Sequence, residues 1–472
     1  MHSQWSRYRR IDVTERPLAI DVFTDGLLFH KHQLNEKGVV RERRAMPALV
    51  AAGADPPVED VLILGAGTGS DVRIFRRLVP SNPRIVAVEL DGAFVETAQA
   101  FPWLWDAYKT AEIVVQEGRF FLENDPRDFD MVVYAYIDPQ SAISNIGLPD
   151  ANFMYTDAGL ARAYEKVRPG GHLVITRVFL VKEQEEFLRR LCATLLAAGI
   201  KKDEVQLYRS ISSNTWSYYG ELATVQAVIK KGGTPPAVDE SAVRPLPWHG
   251  GGRPTTDFFP LSMVTGVWFD TLGAFVTHSI PALIVCGVLA AALVARLSTS
   301  AAHLNVFVLG FGSFLLESLV LFNSFILLGD PNLSAALAVG VFLLWSALGS
   351  LLSRRVERSR ALLFAVPIGV LIYATTAPLL NGNTIELGLW VRTIAFSIHL
   401  ALGGVAAGAM FPAVLRRFQK EGVSGLFALD LAGCALAPVA FWLALGSSGI
   451  WLVAIVSVAS YAFVCGTLAL KR

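Results

Sequence analysis

Short apolar runs alternate with amphipathic stretches over the first half of the chain. Val61–Leu64, Arg84–Glu89 and His172–Arg177 are typical of buried strands, and each precedes a stretch with helical periodicity. Strands that alternate with helices in this way indicate a parallel sheet that is covered on both faces. We therefore predict a Rossmann-like α/β domain over residues 61–230.

The segments on either side of this domain have different patterns. Residues 1–60 predict a β-rich lead-in, because the apolar runs Leu18–Thr24 and Leu27–His32 flank the hairpin signal Asp25-Gly26. Residues 231–257 are rich in glycine and proline and contain few apolar positions, which predicts a linker.

From residue 258 onward, polar positions become rare. Each apolar run in this part of the chain is about long enough to cross a hydrocarbon core of ~30 Å. The runs are 280–296, 303–328, 333–352, 361–380, 388–415, 425–445 and 450–470. A weaker run at 259–276 contains Asp270 and is either an eighth crossing or a re-entrant stretch. Residues 258–472 thus predict an all-α polytopic membrane bundle of seven to eight spans.

Composition supports this division. The 472 residues are 53% hydrophobic and only 17% charged, which is too apolar for an ordinary soluble protein of this length. Residues 1–257 carry 30 basic and 33 acidic side chains, whereas residues 258–472 carry 11 and 7. The nearly neutral charge gives no reason to expect a nucleic-acid partner. The four cysteines form no CxxC or Cys/His cluster, so neither a metal site nor a disulfide framework is indicated.

The segment VLILGAGTGSD combines a strand with a glycine turn and the start of a helix. Gly65, Gly67 and Gly69 would let the backbone approach a ligand closely at the carboxyl end of the sheet. Glu89 ends the next strand, where a carboxylate can accept hydrogen bonds from both ribose hydroxyls. The G-x-G-x-G spacing is more typical of S-adenosylmethionine sites than of dinucleotide sites. The alternative is a tight strand–helix turn without a ligand, and Glu117-Gly118 after the third strand make that alternative weaker.

Residues 1–230 resemble spermidine synthase, an aminopropyltransferase with a methyltransferase-like fold. The matching motifs run in order along the chain: SRYRRIDV, DGLLFH, LGAGTG, VELD, QEGRFFL, FDMVVYAYIDP and KVRPGGHLVI. The resemblance implies that the turn formed by Gly65, Gly67, Thr68 and Gly69 binds the cofactor. It also implies that Glu89 contacts the ribose and that Glu117, with Gly118, lies at the adenine.

The membrane half resembles the multi-pass region that is fused to spermidine-synthase-like domains in bacteria. The stretches that carry this resemblance include GFGSFLLESLVLFNSFILLGDPN, AAGAMFPAVLRRF and LFALDLAGCALAP. It implies a bacterial inner-membrane protein. The Arg-rich stretches 353–360 and 416–420 are expected on the cytosolic side, together with the soluble domain and the C-terminus.

The chain departs from the family where the transfer chemistry takes place. Ala135 occupies the position of the family's base, and Thr68 that of the aspartate that holds the amine end of decarboxylated S-adenosylmethionine. A threonine would not repel the carboxylate of intact S-adenosylmethionine as an aspartate would. Asp138 and Tyr136 remain as candidate catalytic residues, although Asp138 could instead cap a turn and Tyr136 could belong to the core. In the loop that closes over substrate in the family, Asp150 is more simply explained as surface, and Tyr155 lies nearby.

Ionisable residues within the predicted spans are functional candidates, because each is costly in a membrane unless it is paired. They are Glu317, Arg392, His399 and Asp430, and a purely structural pairing is the alternative for each. Gly403, Gly404 and Gly408 recur at helical spacing and predict close helix packing.

These features predict a membrane-bound transferase that moves a methyl group from S-adenosylmethionine to a small-molecule or lipid-like acceptor near the bilayer. Two alternatives stay open: a polyamine aminopropyltransferase that uses the decarboxylated cofactor, and a non-catalytic sensing or transport protein. The sequence is also compatible with a homodimer.

Overall fold

The computed structural model of the protein describes residues 2–6, 10–16, 19–24, 27–33, 45–135, 137, 153–181, 184–210, 215–217, 220–236, 238, 243–256, 301–328, 331–384, 388–419, 422–448 and 450–470. The chain divides into two compact units, Met1–Thr271 and Leu272–Arg472.

The first unit begins with a four-stranded antiparallel sheet. Its strands are β1 (His2–Trp5), β2 (Arg10–Arg16), β3 (Ala19–Thr24) and β4 (Leu27–Gln33), paired in chain order. β3 and β4 are the two predicted hairpin strands, and the turn at 25–26 lies outside the described residues. The buried side chains of Ile11, Val13, Ile20 and Val22 join the same apolar cluster as the α/β domain that follows. The lead-in therefore shares a core with that domain.

A second, larger sheet forms the centre of the unit. Its strands are β5 (Asp60–Leu64), β6 (Arg84–Glu89), β7 (Glu112–Val115), β8 (Phe129–Tyr134), β9 (Val167–Leu180), β10 (Val205–Ser210), β11 (Thr215–Ser217), β12 (Gly220–Lys230) and β13 (Val243–Leu246). They lie in the order β13-β10-β12-β9-β8-β5-β6-β7, and β11 pairs with β12. β5 to β9 are parallel, whereas β12 is antiparallel to both of its neighbours in this order. The predicted methyltransferase-like α/β fold is confirmed.

Helices cover both faces of this sheet. They are α1 (Ala45–Ala52), α2 (Ser70–Leu78), α3 (Gly92–Gln99), α4 (Pro102–Tyr108), α5 (Gly118–Asn124), α6 (Asp157–Glu165) and α7 (Gln184–Ala197). β5 shows why both faces need cover: Val61 and Ile63 belong to one buried cluster, and Leu62 and Leu64 to the other. Because consecutive residues from Val61 to Leu64 are apolar and point to alternate faces, both faces of this strand have to be covered.

The structure differs from the sequence prediction at residues 231–257. This stretch contains β13, whose Pro245 pairs with Tyr208 of β10 at the edge of the sheet. The backbone N–H of Thr255 donates to the Thr194 hydroxyl at 2.9 Å, and its carbonyl accepts from the N–H of Asp157 at 2.8 Å. Proline is compatible with an edge strand, so a composition rich in glycine and proline does not exclude one.

The described part of the second unit is helical. Its helices are α8 (Ala301–Leu328), α9 (Pro331–Arg358), α10 (Arg360–Thr384), α11 (Leu389–Phe418), α12 (Val423–Ser448) and α13 (Ile450–Leu470). Within the described residues, five segments are long and apolar enough to cross a membrane: Ala302–Phe325, Leu333–Arg358, Arg360–Ala377, Leu389–Phe418 and Ile450–Leu470. Val423–Pro438 is a shorter apolar helix. The predicted runs 259–276 and 280–296 lie outside the described residues.

Glycines allow close contact between these helices. A Cβ on Gly408 would lie 2.0 Å from the Ser346 carbonyl oxygen, and one on Gly404 would lie 2.7 Å from the Trp345 Cβ. Both contacts join α11 to α9, as the helical spacing of these glycines predicts. Gly403 instead faces the Tyr373 ring on α10, at 3.3 Å from the position of a Cβ.

Candidate functional site

The candidate site lies at the carboxyl edge of the parallel sheet, next to the end of β5. β6, the next strand along the chain, pairs with β5 on one side, and β8 pairs with β5 on the other side. The strand order therefore changes direction at β5. Such a reversal of strand order opens a crevice beside the strand ends, where α/β proteins bind ligands. The glycine turn predicted from the sequence follows β5 directly.

Backbone hydrogen bonds within the turn and to the neighbouring strand β6 fix the shape of the turn. The N–H groups of Gly65 and Ala66 both donate to the Val88 carbonyl, at 2.9 and 3.1 Å, and that of Gly69 donates to the Ala66 carbonyl at 2.9 Å. Gly65, Gly67 and Gly69 have φ values of 77°, 55° and 85°. These values lie in the left-handed region, which residues with a side chain disfavour. Position 69 must be glycine for a second reason, since a Cβ there would lie 2.5 Å from the Tyr108 Cγ.

Glu89 is buried at the end of β6, facing this turn. Its Oε2 accepts a 2.7 Å hydrogen bond from the Gly67 N–H, and its Oε1 accepts a 2.9 Å bond from the Asp91 N–H. A carboxylate oxygen can accept more than one hydrogen bond, so these contacts orient the group without preventing it from binding ribose hydroxyls.

Asp91 connects this acid to the lead-in. Its carboxylate accepts from the Ala93 N–H at 3.1 Å, which caps α3, and from the Ser6 hydroxyl at 2.7 Å. Thr97 of the same helix has a hydroxyl that donates to the Ala93 carbonyl at 2.7 Å. The residue beside the predicted ribose contact is thus fixed from the N-terminal sheet and from α3.

Glu117 lies at the end of β7 and caps α5. Its two carboxylate oxygens accept from the N–H groups of Arg119 and Phe120, at 3.0 and 2.7 Å. A Cβ on Gly118 would lie 3.2 Å from the Met154 sulfur, so the backbone here is closely covered. The structure places Glu117 and Gly118 at the same edge of the sheet as Glu89 and gives Glu117 a capping role that the sequence analysis missed.

The two positions at which the chain departs from the family both lie in the interior. Thr68 is 3% exposed and Ala135 is 2% exposed, and the Ala135 N–H donates to the Leu64 carbonyl at 2.9 Å. Neither position brings a carboxylate to the crevice. Tyr136, Asp138 and Asp150 lie outside the described residues.

Tyr155, by contrast, is described and belongs to the core. Its ring lies against the Arg177 guanidinium, whose carbon is 3.7 Å from the ring centroid, and its hydroxyl donates to the Thr176 carbonyl at 3.5 Å. Ile175 pairs with Tyr134, so Thr176 and Arg177 stand beyond the last paired residue of β8, at the carboxyl edge. Sequence reasoning missed this buried cation, whose only signal was an arginine inside an apolar strand.

The sequence analysis also did not identify Asp71 and Tyr108 as residues of the site. Asp71 is 2% exposed in the first turn of α2, one turn after Thr68. Burial, together with the negative charges of Glu89 and Asp71, raises the pKa of the Tyr108 phenol. Its hydroxyl is buried without a hydrogen-bond partner among the described residues. An acidic residue in the first turn of a helix was the available signal, since it complements the helix dipole.

Two of the ionisable residues of the second unit, Glu317 and Asp430, are close enough to interact electrostatically, whereas Arg392 and His399 have other partners. Arg392 is buried and donates a 2.6 Å hydrogen bond to the Leu327 carbonyl in the last turn of α8, so it satisfies a helix end. The Asp430 backbone packs against Gly310, where a Cβ would lie 2.3 Å from the Asp430 carbonyl oxygen. Glu317 is exposed on α8, and the His399 ring nitrogen Nε2 lies 2.6 Å from the Thr376 hydroxyl.

Comparison with known proteins confirms the resemblance to spermidine synthases. Polyamine aminopropyltransferase 2 of Pseudomonas aeruginosa is 28% identical over 192 residues, which cover 40% of this chain and 51% of that protein. A polyamine aminopropyltransferase of Clostridium botulinum is 26% identical over 148 residues, or 29% of this chain and 48% of that protein. The chain thus spans about half the length of the curated relatives it matches. No family model matches the chain.

Among solved structures, spermidine synthase in complex with the transition state analogue AdoDATO aligns with a TM-score of 0.39 and 20% identity. The alignment covers 50% of this chain and 74% of that one.

Proposed function

We propose that the first unit binds S-adenosylmethionine and transfers its methyl group to an acceptor at or near a membrane. The observation that carries the proposal is the Glu89 carboxylate, which is fixed 2.7 Å from the Gly67 N–H at the end of β6. A carboxylate in this position could accept hydrogen bonds from a ribose, and the glycines of the neighbouring turn leave room for a ligand.

The residues at this edge fit an adenosyl cofactor. Gly65, Gly67 and Gly69 would accommodate its amino-acid portion, Glu89 its ribose and the backbone around Glu117-Gly118 its adenine. When bound, the cofactor supplies a group already activated by the sulfonium, so the protein has mainly to position the acceptor. The glycine φ values above support the fit, since side chains at these positions would be strained.

Two observations favour methyl transfer over aminopropyl transfer. Thr68 and Ala135 bring no carboxylate to hold an amine or to deprotonate it. Arg177 adds a buried positive charge at the carboxyl edge, which would disfavour a cationic diamine. Both differences point to intact S-adenosylmethionine and an acceptor that is not a polyamine.

Aminopropyl transfer to a polyamine is the second candidate. Asp71 supports it, because this buried carboxylate follows Thr68 by one helical turn and could replace the missing acid. The names of the relatives also support it.

We further propose that the second unit anchors the protein in the bacterial inner membrane with the first unit in the cytosol. The two Arg-rich segments meet in the structure, where Arg416 donates to Glu357 at 3.0 Å and to the Ser353 hydroxyl at 2.8 Å. Their location at one end of the bundle supports the same, cytosolic side for both.

The experiment uses the purified full-length protein, with both cofactors and with putrescine or a membrane extract as acceptor. Calorimetry measures binding, and mass spectrometry identifies products. We expect tighter binding of intact S-adenosylmethionine and a product 14 mass units heavier than an acceptor in the extract. Efficient formation of spermidine would establish the second candidate, and failure to bind either cofactor would overturn the proposal.

A further inference from the structure

The phenol of Tyr108 is buried against the glycine turn. Tyr108 is the last residue of α4 and is 0% exposed. α4 packs against α2, the helix that follows the turn, and a Cβ on Gly69 would lie 2.5 Å from the Tyr108 Cγ. The Trp105 ring meets the Tyr108 ring edge-on, with 6.3 Å between the two centroids. These contacts fix the ring, so its hydroxyl has a defined position beside the proposed cofactor site.

This hydroxyl has no hydrogen-bond partner among the described residues. A hydroxyl in a protein interior that has lost its bonds to water is unfavourable unless another group replaces them. Tyr134 is equally buried and shows the usual arrangement, since its hydroxyl donates to the Gly159 carbonyl at 3.2 Å. The partner of Tyr108 is therefore a group that the described part of the chain does not supply.

The surroundings of the Tyr108 hydroxyl favour a cation. The carboxylates of Glu89 and Asp71 are both close enough to interact electrostatically with this phenol, and both disfavour negative charge on it. Asp71 is 2% exposed and lies in the first turn of α2, directly after the glycine turn. Two carboxylates beside a neutral hydroxyl attract a positively charged donor and repel an anion.

An adenosyl cofactor carries two cations, the sulfonium and the ammonium group of its amino-acid portion. The sulfonium has no N–H or O–H group, whereas the ammonium has three N–H donors. We propose that Tyr108 and Asp71 bind the amino group of the cofactor. The ammonium donates a hydrogen bond to the phenol oxygen, and the Asp71 carboxylate balances its charge.

This inference rests on the proposed cofactor site and adds two residues to it. The family holds the amine with an aspartate, whose position is Thr68 here, so Tyr108 and Asp71 take over that contact from α4 and α2. Intact and decarboxylated S-adenosylmethionine both carry the amine. The contact therefore favours neither of the two transfer reactions.

The test uses the purified full-length protein and two thioethers of adenosine, one with an aminopropyl group and one with a propyl group on the sulfur. The two compounds differ only in the amine. Titration calorimetry gives the ratio of their affinities, and we expect the wild type to bind the aminopropyl compound about tenfold more tightly. Tyr108→Phe and Asp71→Asn should each reduce that ratio about threefold or more and leave the affinity for the propyl compound unchanged.

Tyr134→Phe is the matched control, because it also removes one buried phenol hydroxyl, and it should keep the ratio of the wild type. Thermal unfolding without ligand gives a second readout. Tyr134→Phe should lower Tm, since it loses the bond to the Gly159 carbonyl, whereas Tyr108→Phe should not.

Two results would overturn the inference and leave the cofactor site intact. One is an unchanged ratio of affinities in Tyr108→Phe, and the other is a loss of Tm in that variant as large as in Tyr134→Phe, which would show a structural partner for the hydroxyl. Failure of the wild type to bind either thioether would overturn the inference and the cofactor site together.

Discussion

The backbone N–H of Gly67 and the carboxylate of Glu89 are joined by a 2.7 Å hydrogen bond, which connects the glycine turn after β5 to the last residue of β6. Replacement of Glu89 by alanine should therefore lower cofactor affinity about 10–150-fold, the effect of losing a charge-assisted contact. Titration calorimetry measures the affinity of each variant for the cofactor. Glu112→Ala is the control, because Glu112 pairs with Arg127 at the opposite end of the strands. Equal affinities of Glu89→Ala and the wild type would contradict the site assignment.

Gly69→Ala should destabilise the protein more than Gly170→Ala. Both glycines have left-handed φ values, of 85° and 79°, so both variants incur about 1–2 kcal/mol of backbone strain. Only Gly69 also faces the Tyr108 ring, whereas a Cβ on Gly170 would meet nothing within 4 Å. The contact should add ~1–3 kcal/mol. Thermal unfolding of the full-length variants measures the difference, and equal losses would exclude strain from Tyr108.

A carboxylate at position 68 should change which cofactor is preferred. In the double variant, Thr68→Asp places negative charge where intact S-adenosylmethionine would carry its own carboxylate, and Ala135→Asp restores an acid at the position of the family's base. We expect the ratio of affinities to shift toward the decarboxylated cofactor by about tenfold, or ~1.4 kcal/mol. Thr68→Asn with Ala135→Asn is the neutral control. Identical ratios in the two double variants would show that charge at these positions does not select the cofactor.

Acid should destabilise the first unit through His172. Burial, and then the charge of Lys230, lowers the pKa of this histidine to about 4. Because the unfolded chain binds the proton near pH 6.5, His172 lowers stability progressively as the pH falls from 6.5 to about 4. The loss is at most about 3 kcal/mol.

The wild type and His172→Gln, compared by thermal unfolding across this range, test that expectation. The variant should lose less stability than the wild type between pH 6.5 and pH 4. Parallel pH profiles would contradict the role of His172, whereas a constant offset between them would reflect only packing.

Features carried by a continuous apolar run could be predicted from the sequence. The bounds of β6 match the prediction, because the run from Arg84 ends at an acid that must face the crevice. The glycine turn and its proximity to Glu89 follow from the same rule about strand ends. α4 and α5 could not be predicted in this way, since each has seven residues and too little periodicity to detect.

The missed parts of the site depend on burial, which a single sequence does not display. Asp71 looks like an ordinary acid near a helix start, and only packing against α4 makes it an interior charge. Glu117 was predicted from its resemblance to an adenine contact, whereas helix caps are usually shorter side chains. Its capping bonds became visible only once α5 was located.

The bond from Ser6 to Asp91 has a consequence for anyone who wishes to express the first unit alone. A fragment cut at residues 61–230 would keep the whole glycine turn and Glu89, yet it would lose the hydroxyl that fixes Asp91. It would also lose Ile11 and Val22 from a shared core, as well as the edge strand β13. If such a fragment folded poorly, the cause would be its exposed interior. The shortest fragment that keeps these contacts runs from residue 1 to at least Thr255, whose N–H donates to the Thr194 hydroxyl.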